Sequence, residues 1–172
     1  MRSSSRLSGL ESRNIVRQAI LYSTGLCLVS VALEGLFAGR GIRRRLAELR
    51  TPRFVPPLWG WIVIGAFYYV MCFAVLYRLF SLPPNSDLRN VALALAIAMM
   101  VINALWNWFF FRTRNLFHAF FVGMPYTVVA LVLFSLLLRV DRAAAIWLAP
   151  YILYLCYANV WGYWMWKLNR VQ

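Results

Sequence analysis

Five long apolar runs decide what this chain can become. They extend over about Ala19–Ala38, Pro57–Tyr77, Leu88–Phe111, Leu116–Leu138 and Ala143–Trp166, and a helix crosses the hydrocarbon core of a bilayer in about 20 residues. The chain has 172 residues, 63% hydrophobic and 13% charged, against about 45–50% and about 25% in a soluble domain. A globule of this size has too little interior to hide that much apolar surface. A β-barrel needs strands that alternate polar and apolar residues; Val91–Val101 and Leu131–Leu138 do not alternate. The expectation is an all-α fold, an integral membrane bundle of five transmembrane helices over residues 19–169, preceded by a basic tail at 1–18.

The connections are short and carry the breakers. Arg112–Asn115 and Arg139–Arg142 separate the last three runs, and Pro83-Pro84-Asn85 lies between the second and third. Links this short make sequential helices antiparallel neighbours. The one long connection, Gly39–Pro56, holds six arginines and reads as a loop. Net charge is +13. The arginines flank apolar runs, as charge facing anionic headgroups does, so no nucleic-acid partner is expected. The near-even split of basic residues between the two sides leans to an external N-terminus and an internal C-terminus. Arg2, Arg6 and the serines between them read as a flanking tail rather than a presequence.

Few groups in the runs can do chemistry. Of five acidic residues, only Glu34 falls inside a run, one turn from its end, where it is expected at the interface, paired with Arg40 or a neighbour. The one histidine, His118, opens the fourth run and reads as an interfacial side chain. Cys27, Cys72 and Cys156 lie within apolar runs with no metal or redox spacing. No serine sits in a nucleophile elbow and no glycine loop cradles phosphate. Ion coupling and catalysis are therefore not the expectation, and no cofactor is required.

Two helix faces carry polar anchors among aromatics. Asn103, Trp106, Asn107 and Phe110 share one face of the third run; Tyr151, Tyr154, Ala158 and Trp161 share one face of the fifth. Intramembrane amides and phenols serve either as glue between helices or as anchors in an aromatic-walled cavity for a flat, largely apolar ligand.

Three segments resemble the tryptophan-rich sensory protein and translocator protein family (TspO/MBR). They are Pro56-Pro57-Leu58-Trp59 with Tyr68-Tyr69 downstream, Asn103 through Arg112 (NALWNWFFFR), and Pro150-Tyr151 with Tyr154, Ala158 and Trp166-Lys167-Leu168-Asn169. Gly65 and Tyr154 stand where the family usually has tryptophan, Gly162 where asparagine is usual, and Val122 where an acidic residue is common, which marks a divergent member.

The resemblance implies five helices around a cavity lidded by the first loop, and porphyrins, other tetrapyrroles or sterols as ligands, with haem among the candidates. By matching position, the ligand would meet Pro56, Pro57 and Trp59 from the lid, and Tyr69, Asn103, Trp106 and Asn107 from the second and third helices. Tyr154, Ala158 and Trp161 would complete the set from the fifth. The family's roles are transport, sensing and porphyrin modification. The two missing tryptophans weaken the last, and a non-catalytic membrane module that acts through partners is the other alternative. Implied partners are the lipid bilayer, a small apolar ligand and a second copy in a homodimer, in a bacterial cell membrane or mitochondrial outer membrane. Val160, Tyr163 and Lys167 also fit a weak sterol pattern.

Overall fold

A computed structural model of the chain describes residues 2–84 and 86–170, with side chains from residue 13 onward. Among these residues there is helix and no strand. The helices are α1 (Arg2–Ala38), α2 (Ile42–Glu48), α3 (Leu58–Ser81), α4 (Asp87–Asn107), α5 (Leu116–Val140) and α6 (Arg142–Asn169). Five stretches are long and apolar enough to cross a membrane: Arg13–Ala38, Leu58–Ser81, Asp87–Arg112, Leu116–Val140 and Arg142–Asn169. Large apolar side chains such as Leu28, Leu36, Ile62, Ile146 and Leu153 point outward, as a helix surrounded by lipid requires. The protein is a multi-pass membrane protein whose outer face contacts the bilayer.

The long first connection is not loop throughout. Gly39 and Gly41 take φ of +68° and +109°, left-handed backbone that glycine adopts without strain. They end α1 and start α2, a seven-residue helix that lies across one end of the bundle. Asparagine or aspartate begins other helices. Asn115 accepts the His118 amide at α5, and Asp141 accepts those of Ala143 and Ala144 at α6.

The spanning helices close into a ring. α1 packs on α3 and α4, α3 on α6, α6 on α5, and α5 on α4. Sequential neighbours are therefore not always ring neighbours. α1 sits between α3 and α4, which make only a smaller contact of their own, a departure from the expectation set by their short link. Two packed clusters fill the ring at different heights. One contains Met71, Leu76, Leu79, Ala92, Ala96, Leu133 and Leu148. The other holds Leu49, Phe110, Ala119, Trp161 and Met165 beneath α2.

At the end away from α2, Arg78 Nε donates to both carboxylate oxygens of Asp141, at 3.0 and 2.9 Å. This ties the last turn of α3 to the α5–α6 turn. Partial burial works against the charge of Asp141, but Arg78 and the two capping amides outweigh it and hold the carboxyl below its ordinary value.

Candidate functional site

Between the two clusters the helices enclose a cavity of about 310 Å³, at the small end of the range for ligand sites. Its walls come from all five spanning helices, and α2 covers it with Ile42 and Leu46. The aromatic part is built by α3, α4 and α6. Trp61 and Trp106 lie 4.9 and 6.1 Å from Trp161, and Phe110 stacks on Trp106 at 4.9 Å with planes 17° apart. A π-helical turn over Trp108–Arg112 extends α4. It adds a residue to the turn and re-aims the side chains that follow, so Phe110 and Phe111 both reach the cavity.

Polar groups punctuate this wall. Asn103 Nδ2 donates to Glu34 Oε1 at 2.6 Å, joining α4 to α1. Asn107 Nδ2 donates to the Asn103 carbonyl. Asn159 Nδ2 donates to Thr127 Oγ1 at 2.8 Å, joining α6 to α5. Deeper in, the Tyr126 and Tyr151 hydroxyls share a hydrogen bond of 2.7 Å. Tyr68 and Trp161, 3% and 4% exposed, line the cavity, yet the Tyr68 hydroxyl and the Trp161 Nε1 find no partner among the described residues. Buried polar atoms are rarely left so.

Of the ten residues singled out from sequence, six line the cavity: Asn103, Trp106, Asn107, Tyr154, Ala158 and Trp161. Four do not. Trp59 is 68% exposed on the outer surface, because it lies two positions from Trp61 and a helix turns about 200° over two residues. Pro56 and Pro57 set the start of α3, where Pro57 accepts the Gly60 amide, outside the cavity lining. Tyr69 turns toward α1, its hydroxyl facing Glu34 and Ser30, while its neighbour Tyr68 takes the cavity position.

The reading of Glu34 is corrected as well, and other residues take their places around it. Glu34 is not an interfacial partner of Arg40. It is half-buried in the cavity wall and bound to Asn103. No arginine of the first connection lines the cavity. Arg44 pairs with Glu48 instead, and Arg45 Nη2 donates to the Arg114 carbonyl. His118 stacks on Phe109 at 5.6 Å and stays outside the lining. Val160, Tyr163 and Lys167 face outward, with the Lys167 ammonium 5.0 Å from the Trp164 ring.

The covering segment is strapped to α6. Asn169 Oδ1 accepts the Arg50 amide at 2.9 Å, and Asn169 Nδ2 donates to the Arg50 carbonyl at 2.9 Å. The Tyr157 hydroxyl donates to the Phe54 carbonyl at 3.0 Å.

The profile of the TspO/MBR family matches residues 23–167, which reaches into all five spanning stretches and contains three of them whole. The chain belongs to the TspO/MBR family. It is also similar to protein CrtK of Rhodobacter capsulatus, with 24% identity over 122 residues, covering 71% of this chain and 76% of CrtK. The five-helix frame and the cavity of this TspO/MBR member thus accompany a sequence that has diverged far from that relative. At Gly65, an added Cβ would meet nothing within 4 Å, so the space a larger side chain would fill there is part of the cavity.

Proposed function

We propose that this TspO/MBR protein binds a flat, largely apolar ligand of the tetrapyrrole kind in the cavity between its helices, as a sensor or transporter of that ligand. The observation that carries the reading is the pair of orphaned polar atoms, Tyr68 Oη and Trp161 Nε1, in the lining of an aromatic-walled space. A ligand that stacks on Trp61, Trp106 and Trp161 and offers an acceptor and a donor at its rim satisfies both. Asn103, Asn107, Tyr154 and Ala158 are the further ligand contacts in this reading. The lining holds no histidine, so a haem bound here would take no imidazole from the wall, and metal-free macrocycles suit the site equally well. A sterol offers one hydroxyl and no flat π-face, and leaves the tryptophan walls unused.

Spectral titration of the purified protein in nanodiscs with protoporphyrin, haem and cholesterol tests this. Saturable porphyrin binding with quenching of tryptophan fluorescence is expected, weakened by Trp161→Phe and Tyr68→Phe. Absent or non-saturable binding overturns it.

A further inference from the structure

The cavity wall contains a carboxyl group with no countercharge. Glu34 lines the cavity, and among the described residues the lining includes no lysine, arginine or histidine. The other acids with described side chains are differently placed: Glu48 pairs with Arg44 and Arg114, Asp141 pairs with Arg78, and Asp87 is exposed in the first turn of α4. Glu34 is held by a neutral amide, Asn103 Nδ2, at 2.6 Å, and the Tyr69 hydroxyl, also neutral, approaches it from α3. A carboxyl inside a membrane span is costly unless something compensates it. The amide fixes the rotamer and aims the group; it does not supply charge.

We propose that Glu34 is a specificity-determining residue that selects, among flat apolar ligands, those carrying a basic nitrogen. The protonated nitrogen meets the remaining lone pairs of the Glu34 carboxylate in a charge-assisted hydrogen bond, while the ring system stacks on Trp106 and Trp161. Asn103 acts as the positioning residue that holds Glu34 toward the cavity. This rests on the ligand-binding reading of the cavity and narrows the ligand's chemistry. The rest of the molecule works against the preference, since a net charge of +13 repels cations at long range. Selection for a cation must therefore come from a local carboxyl.

The test uses three fluorescent anthracenes that differ at one substituent: 9-(aminomethyl)anthracene, 9-(hydroxymethyl)anthracene and 9-anthroate. They are titrated at pH 7 into the full chain in phosphatidylcholine nanodiscs, whose zwitterionic lipid does not concentrate cations. The ammonium compound is expected to bind at least about tenfold more tightly than the alcohol, as suits a hydrogen bond to a charged group, and the anthroate more weakly than either. Glu34→Gln, which can still accept from Asn103, is expected to bring the ratio of ammonium to alcohol affinity to within about twofold of one. Asn103→Ala should reduce the preference less than Glu34→Gln does. Alcohol binding that survives with no ammonium preference in the unmodified protein, or a preference untouched by Glu34→Gln, overturns the role of Glu34 and leaves the cavity reading standing. Failure of all three compounds to bind saturably overturns both.

Discussion

Tyr126 and Tyr151 each follow a proline, Pro125 in α5 and Pro150 in α6, and their hydroxyls meet at 2.7 Å at the deep end of the cavity. Each proline removes one helical hydrogen bond, so both helices are deformable where the tyrosines join them. The shared bond offsets that freedom. Tyr126→Phe and Tyr151→Phe should each cost about 0.6 kcal/mol, and no more than about 1.7 kcal/mol, the range for intramembrane hydrogen bonds. The double variant should cost little more than either single one. A double-mutant cycle in thermal or denaturant unfolding measures this, and additive losses would mean the two hydroxyls do not act together.

Gly65→Trp should fold and lose the ligand. The backbone there accepts a Cβ without contact within 4 Å, and the indole would occupy much of a cavity of about 310 Å³. The melting temperature should hold within a few degrees, while affinity for 9-(hydroxymethyl)anthracene falls at least about tenfold. Unchanged affinity would place the binding elsewhere.

Acidification should loosen the end of the bundle away from α2. The carboxyl of Asp141 lies below its ordinary value in the folded protein. Its contribution is therefore complete above the unfolded value, about 3.9, and fades as pH falls through the lower folded one. Arg78 is partly open to solvent, which screens the pair. The whole effect should be about 1–2 kcal/mol, capping included. Melting temperatures between pH 5 and pH 2.5 should drop less in Asp141→Asn, which keeps the cap and loses the charge.

Asn169→Ala should free the covering segment without unfolding the bundle. It deletes two hydrogen bonds to the Arg50 backbone, each contributing about 1 kcal/mol. Amide hydrogen exchange over residues 49–55 should accelerate, while protection in α3 and the core of α6 persists. Unchanged exchange would show that Tyr157 and the packing of Leu49 hold the segment unaided.

The termini should lie on opposite sides of the membrane, since five spans are an odd number of crossings. With Cys27, Cys72 and Cys156 replaced by alanine, Ser5→Cys and Gln172→Cys should label from opposite sides of sealed vesicles. Labelling from one side would remove a span from the topology.

Most of the frame was legible because apolar length is a one-dimensional signal, and the five runs match the five spanning stretches within a few residues. α2 escaped because Ile42–Glu48 is too short and arginine-rich for a periodicity to rise above a polar loop. The π-turn leaves no mark in composition, although it decides that Phe110 and Phe111 both reach the cavity. Asn103, Trp106 and Asn107 were visible because they share a face within one helix. Glu34 was misplaced because its partner lies 69 residues away in sequence, on the neighbouring α4, and nearness to the span's end suggested Arg40. Thr127 and Tyr126 were missed on a helix whose long apolar stretch masks its inward face. Helix phase separates Trp61 from Trp59 and Tyr68 from Tyr69, and adjacent aromatics in sequence conceal which of them turns inward.

The ring order has a consequence for biogenesis. α6 stands between α3 and α5 and is the last helix to emerge during synthesis. It brings Tyr151, Tyr154, Ala158, Asn159 and Trp161 to the cavity, and Asn169 and Tyr157 to the cover. Until it inserts, the first four spans enclose no closed cavity, and the covering segment has nothing at α6 to fasten to. The last cavity wall and the fastening of its cover therefore form together, in the step that docks this helix.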